Sequence, residues 1–108
     1  MRYKLARVLT VLAVCTSAAM AQDGKIEKRG EELLTKGCAR CHAVGRIGAS
    51  PQPQALPFRL LGRRYPVESL EEALAEGTIS GHPDMPDFAF EPDDVGAIIA
   101  YLESIQEP

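Results

Sequence analysis

The feature that most constrains the fold is a cluster of soft ligands in the segment TKGCARCHAVGR, residues 35–46. Two residues separate Cys38 from Cys41, and His42 follows immediately. Three kinds of site use such a pattern: a redox-active dithiol, half of a zinc site, or the attachment point of a covalent haem. Each of these sites needs a different structural setting, so the rest of the chain decides among them.

The N-terminal residues 1–21 have the pattern of a secretory signal peptide. Basic residues begin the segment, an apolar stretch follows at 5–14, and Ala-Met-Ala at 19–21 forms a cleavage site between small residues. The apolar stretch is much shorter than the ~20 residues that a membrane-spanning helix needs. We therefore expect residues 1–21 to be removed on export to the periplasm. Residues 22–108 would form one domain without a transmembrane segment.

Cys15 is the odd cysteine of the three in the chain, and cleavage after residue 21 would remove it. A second interpretation is a bacterial lipoprotein signal in LAVC, residues 12–15, in which Cys15 would be acylated and become the N-terminus. Val14 departs from this pattern, because a small residue usually precedes such a cysteine. Lipid anchoring at Cys15 is therefore the minor alternative.

Removal of the leader makes the domain more acidic. The chain has 12 basic and 15 acidic residues, and the leader contains three of the basic ones. Nine basic and fifteen acidic residues would remain, so the formal net charge becomes −6. This charge disfavours nucleic acid as a partner, because phosphate binding needs clustered Lys and Arg. Complementary charge accelerates encounters between proteins, which favours a partner with a positive docking face.

Hydrophobic periodicity predicts three short helices and no strand, which is an all-α fold class. The first helix covers residues 24–37 and ends at the cysteine motif. The second covers residues 66–76, and the third covers residues 92–106 with an acidic first turn and an apolar stripe. Residues 43–65 show no clear period. We interpret them as an ordered loop, and loops of this length are usually functional.

The helical pattern separates the three candidate sites. A thioredoxin-like dithiol needs neighbouring strands, and none is predicted. A structural zinc site needs four ligands, but beyond the motif the exported domain has only His82 as a donor of this kind. The string C-x-x-C-H is the signature of c-type haem attachment, in which two thiols form thioether bonds and the histidine binds iron. We expect Cys38 and Cys41 to bind one haem, with His42 as an axial ligand.

The iron then needs a second axial ligand, and the segment GHPDMPDF offers two candidates. Met85 is the only methionine that remains after removal of the leader, and the prolines on either side stiffen its loop. His82 is the alternative, and it would give an iron with two histidine ligands. We favour Met85.

Together these motifs resemble those of the small bacterial class I cytochromes c. The resemblance covers residues 24–106 and is carried by CARCH and HPDMP. In that family, a glycine eight residues before the first haem cysteine and a large apolar residue four positions later meet an aliphatic residue and a tyrosine on the last helix. The matching positions here are Gly30, Leu34, Ile98 and Tyr101. At the position of Leu34 the family usually has an aromatic residue such as phenylalanine.

The resemblance also implies roles for residues in the loop after the motif. In the family a proline carbonyl in this loop fixes the ring of the axial histidine, and Pro57 is the candidate by position. Arg63, Arg64 and Tyr65 are candidates for binding the haem propionates. A basic surface turn is the equal alternative for these three residues.

The resemblance implies a cytochrome c fold, in which long loops wrap around one covalent haem, and a one-electron carrier that is not an enzyme. With His42 and Met85 both bound, the iron would have no open position for a substrate. Redox proteins would be the partners: a reductase or dehydrogenase as donor and an oxidase as acceptor. Two alternatives stay open. One is a haem enzyme, such as a peroxidase, or a gas-binding protein with an open or displaceable sixth ligand, and the other is a cytochrome subunit of a dehydrogenase.

Overall fold

The computed structural model describes the backbone of residues 2–77 and 84–108, and the side chains of residues 18–77 and 84–108. His82 and the side chain of Cys15 lie outside this part of the chain. The α-helices are α1 (Arg2–Cys38), α2 (Glu71–Glu76) and α3 (Pro92–Ile105), with 3-10 helices at Phe58–Arg63 and Val67–Leu70. No strand occurs among the described residues, and the all-α fold class is confirmed.

α1 begins much earlier than the helix predicted at residues 24–37. It is 37 residues long because residues with high helix propensity fill most of it and no proline occurs before Pro51. Every residue from 18 to 26 is exposed, so this stretch contributes nothing to the core. No helix in the described part of the chain is long and apolar enough to cross a membrane.

The core forms where α1 packs against α3. Gly30 is buried, and a Cβ atom there would overlap the carbonyl oxygen of Ala97 and lie 2.9 Å from the Cβ of Tyr101. Leu34 is 2% exposed and shares one hydrophobic core with Ile98, which is fully buried. The structure thus places the four predicted contact residues together, with Ala97 as an additional partner of Gly30. The missing Cβ is what allows the two backbones to approach.

The apolar stripe predicted for α3 is confirmed in the structure. Its buried residues are each at most 6% exposed: Val95, Ile98, Ile99, Leu102 and Ile105. Pro92 occupies the first turn, where its missing N–H has no helical partner to lose, and Asp93 and Asp94 lie at the positive end of the helix dipole. Asp94 also forms an ion pair with Arg29 of α1 at 3.0 Å.

The second predicted helix, residues 66–76, is two shorter elements in the structure. Pro66 precedes the 3-10 helix Val67–Leu70, and α2 follows directly. Ser69 donates to the carbonyl of Pro66 through its N–H at 3.1 Å and through its hydroxyl at 2.6 Å, which favours the tighter turn. Gly77 ends α2 with a φ of 75°, a conformation that glycine adopts without strain.

The loop predicted at residues 43–65 is tied to the motif by backbone hydrogen bonds. The N–H of Gln52 donates to the carbonyl of Cys41 at 3.1 Å, and the N–H of Phe58 donates to the carbonyl of Ala43 at 3.0 Å. The 3-10 helix Phe58–Arg63 within this loop was not predicted, because six residues are too few to show a hydrophobic period. Phe58 and Leu61 anchor it in the core.

Replacing Gly30 by Ala should lower the free energy of unfolding by about 1–3 kcal/mol, because the new methyl group must push α1 away from the backbone of Ala97. Gly96→Ala is the matched control, since among the described residues no atom outside its own stretch of α3 lies within 4 Å of a Cβ there. The control should be neutral or stabilising by up to about 1 kcal/mol. Chemical denaturation measures both values, and equal stability of the two variants would contradict the close approach at Gly30.

Candidate haem site

The C-x-x-C-H motif forms a tight turn at the end of α1. Cys38 is the last residue of the helix, and the N–H groups of Cys41 and His42 both donate to its carbonyl, at 3.1 and 2.9 Å. Both cysteine side chains are partly buried. The turn therefore presents two sulfur atoms and one imidazole from a single short segment, as covalent attachment of a haem requires.

The state of Cys38 differs from that of a reactive dithiol. Burial raises the pKa of the Cys38 thiol above its usual range, and the neighbouring Cys41 raises it further. Reactive cysteines in disulfide oxidoreductases have lowered pKa values instead, because the thiolate is the nucleophile. The raised pKa of Cys38 therefore argues against a thioredoxin-like dithiol, as does the lack of predicted strands.

Two neighbours orient the ring of His42. Its Nδ1 lies 2.8 Å from the carbonyl oxygen of Leu56, so Nδ1 carries the hydrogen and donates it. The ring of Phe58 stacks on the imidazole with 4.6 Å between centroids and 29° between planes. In this tautomer Nε2 keeps its lone pair, which is the form in which a neutral histidine binds a metal.

The acceptor for His42 lies one residue earlier than the sequence predicted, so Pro57 is corrected to Leu56. The carbonyl of Pro57 accepts from the N–H of Leu60 and is therefore used in the first turn of the 3-10 helix. Pro57 acts indirectly. A proline disfavours the helical conformation for the residue before it, and Leu56 accordingly stays outside the helix with its carbonyl available.

Tyr101 connects the motif to α3. Its side chain is buried in the core, and its hydroxyl donates to the carbonyl of Val44 at 2.8 Å. The N–H of Ala43 is bonded to the hydroxyl of Ser50 at 3.0 Å. The predicted packing residue Tyr101 therefore has a second role in holding the segment that follows His42. Sequence reasoning missed this role, because nothing local marks Val44 as an acceptor.

The three candidate propionate ligands lie at the surface, at and just after the end of the Phe58–Arg63 helix. Arg63 forms an ion pair with Glu107 at 3.5 Å, and Tyr65 is 40% exposed. Arg64 is exposed and forms no ion pair with the described residues. Their contact with propionates stays a prediction, and the alternative of a basic surface turn stays open.

Met85 lies in the segment that precedes α3 and is half-buried. Its approach to His42 as the second axial ligand stays a prediction. His82, the alternative ligand, falls outside the described residues. Within residues 18–77 and 84–108, no three side chains of His, Cys, Asp or Glu form a group that could hold a metal ion by themselves. A haem needs less from the chain: two thiols for the porphyrin and one Nε2 for the iron. The motif fits that requirement.

Comparison with known proteins agrees with this geometry. Residues 26–102 match the family model described as cytochrome c oxidase, cbb3-type, subunit III. The chain is 32% identical to cytochrome c-552 of Bradyrhizobium diazoefficiens, over 98% of this chain and 99% of the relative. It is 31% identical to cytochrome c6 of Picosynechococcus sp., over 94% of this chain and 92% of the relative. No solved structure gives a significant match.

An all-α fold with a C-x-x-C-H turn at the end of its first helix defines a c-type cytochrome. The chain belongs to the cbb3-type cytochrome c family, as a small class I cytochrome c with covalently bound haem c and the function of an electron carrier.

Tyr101 makes the stability of this region dependent on pH. Burial raises the pKa of Tyr101, nearby Glu31 adds to the rise, and Arg46 opposes it. Stability from the neutral phenol is fully present below the unfolded pKa of about 10 and is lost as the pH rises through the higher folded value. We expect Tyr101→Phe to remove this part of the alkaline loss. At neutral pH the variant should lose about 1 kcal/mol with its hydrogen bond.

Denaturation curves between about pH 8 and 11 measure this effect, a range that brackets the tyrosine pKa. Tyr65→Phe is the control, because it removes the same hydroxyl group from an exposed side chain. The same alkaline slope in both variants would show that Tyr101 does not contribute to it.

Proposed function

We propose that the protein is a periplasmic one-electron carrier in which His42 and Met85 are the two axial ligands of a single haem. The observation that supports this most is the orientation of His42, whose Nδ1–H is taken up by the carbonyl of Leu56 while Phe58 packs on its ring. When bound, the haem supplies an iron that exchanges one electron between the ferric and ferrous states. The chain determines how that iron is held.

Each residue of the motif has a separate task in this proposal. Cys38 and Cys41 attach the group covalently, and His42 presents Nε2 from a ring that its two neighbours keep from rotating. The hydrogen bond to Leu56 also makes the imidazole a more basic ligand. The buried ring of Phe58 places an apolar surface against the imidazole.

Met85 decides between a carrier and the alternative functions. A thioether as sixth ligand raises the reduction potential relative to a second histidine, and it fills the last position on the iron. A haem enzyme or a gas-binding protein needs that position open or displaceable. A dehydrogenase subunit would keep the same ligands but would co-purify with its dehydrogenase, which distinguishes that alternative from a free carrier.

Replacing Met85 by Ala should open the sixth position. The reduction potential should fall within the ~0.8 V range that axial ligands span, because loss of the thioether and entry of water both favour the ferric state. The variant should also gain carbon monoxide binding and peroxidase turnover that the native protein lacks. Voltammetry and absorption spectra measure these changes.

Asp87→Asn is the control for the Met85 experiment, because Asp87 lies in the same segment but is exposed and carries no thioether. It should leave the spectrum and carbon monoxide binding unchanged. A native protein that already binds carbon monoxide rapidly, with a spectrum indifferent to Met85→Ala, would reject the carrier proposal and support the enzyme or gas-binding alternative.

The periplasmic location follows from the predicted leader. Residues 18–26 are exposed and outside the core, so cleavage before Gln22 would remove no packing contact from that stretch. Mass spectrometry of the exported protein should show Gln22 as the first residue. A diacylglyceryl group on Cys15 would instead support the lipoprotein alternative.

The charge that favours a positive partner is unevenly distributed along the chain. Residues 68–108 contain eleven acidic residues and no Lys or Arg, whereas residues 33–67 contain six basic residues and no acidic one. Asp84 and Asp87 are exposed on the two sides of Met85. The donor and acceptor proteins, a reductase or dehydrogenase and an oxidase, would therefore place a positive face against the exposed carboxylates of Asp84 and Asp87 near Met85.

Small redox ions test this docking side. Replacing Asp84 and Asp87 together by Asn should slow electron exchange with the cation hexaammineruthenium and accelerate exchange with the anion ferricyanide, and high salt should remove both effects. Asp23→Asn with Glu27→Gln is the control, because it makes the same charge change on α1. Equal effects of the two pairs would show that only net charge matters. A stronger effect from neutralising Arg40 and Arg46 would assign docking to the basic segment, residues 33–67.

A further inference from the structure

Gln106, the residue after α3, makes three hydrogen bonds through its side-chain amide. Nε2 donates to the carbonyl of Phe58 at 2.9 Å and to the carbonyl of Leu102 at 2.7 Å. Oε1 accepts from the N–H of Gly62 at 2.7 Å. Two carbonyl partners and one N–H partner suit only one orientation of the amide, so the side chain has a defined geometry.

The bond to Leu102 explains part of this arrangement. The last carbonyls of a helix lack partners within the helix, and Gln106 occupies the C-cap of α3 with an extended φ of −61° and ψ of 134°. The other two bonds lead away from α3, to the first and fifth residues of the 3-10 helix Phe58–Arg63. The neighbouring Glu107 continues the contact, since its N–H donates to the carbonyl of Arg59 at 2.9 Å.

Phe58 is the residue through which this contact reaches the haem site. Gln106 holds its carbonyl, Ala43 holds its N–H at 3.0 Å, and its ring stacks on His42. Leu56, the acceptor of the His42 Nδ1–H, lies only two residues earlier. Movement of the 3-10 helix would therefore disturb both neighbours that orient the imidazole.

The geometry points to Gln106 as a positioning residue: through Phe58 it sets the orientation of the His42 ring, and thereby the ligand field of the iron. This inference rests on the proposed role of His42 as an axial ligand. A cap that only stabilised α3 would need the bond to Leu102 alone. The bonds to Phe58 and Gly62 connect Gln106 to the segment that carries the ring against His42.

Two variants of the haem-loaded protein test the inference. Gln106→Glu keeps the shape and the acceptor for the N–H of Gly62 but loses both donated bonds, whereas Gln106→Ala loses all three. Ser104→Ala is the matched control, because among the described residues the Ser104 hydroxyl bonds only to the carbonyl of Tyr101 within α3, at 2.6 Å. The measurements are the g-values of the ferric iron, hydrogen exchange of the His42 Nδ1–H, and stability.

We expect both Gln106 variants to shift the g-values and to accelerate exchange of the Nδ1–H by about tenfold, the effect of losing about one hydrogen bond. Ser104→Ala should lower stability without either change. Gln106 variants that lose stability while the g-values and the exchange rate match the native protein would overturn the inference. A native spectrum that survives His42→Ala would instead reject the proposed axial ligand, and with it this role of Gln106.

Discussion

The close contact between α1 and α3 at Gly30 determines where the haem motif lies. α1 ends at Cys38, about 12 Å beyond Gly30 at the rise of an α-helix, so the crossing fixes the position of the first thiol. The same crossing buries Tyr101, whose hydroxyl holds Val44 on the other side of His42. The motif is therefore held before and after the imidazole by one pair of helices.

The loop between the motif and α2 has an irregular backbone, but hydrogen bonds fix its conformation. Three of its anchors connect it to the motif or to itself: Gln52 to Cys41, Phe58 to Ala43, and the Arg59 side chain to the carbonyl of Gly48 at 2.7 Å. A ligand ring holds its orientation only if the groups around it are fixed. This loop achieves that without a sheet, because Leu56 and Phe58 are each placed by a neighbouring bond or turn.

The sequence predicts the features that residues close together in the chain determine. The motif is a contiguous string, and the stripe of α3 repeats over 14 residues, so both could be read directly. The start of α1 could not, since the predicted leader and the first predicted helix share high helix propensity with no proline between them. The acceptor Leu56, the stacking of Phe58 on His42 and the bonds of Gln106 join residues far apart in the chain. Tertiary packing decides such contacts, and a six-residue 3-10 helix shows no period that would reveal them.

The partner of His42 also has an electrostatic consequence. A carboxylate at Nδ1 would push more electron density through the imidazole and stabilise ferric iron, whereas the neutral carbonyl of Leu56 does this less strongly. Residues 33–67 contain no acidic residue, so neither the motif nor its loop can supply a carboxylate. The eleven acidic residues of segment 68–108 come later in the chain, and one of them, Glu107, pairs with Arg59 and Arg63 of the Phe58–Arg63 helix. A neutral acceptor at Nδ1 favours the ferrous state, as does the proposed thioether ligand, Met85.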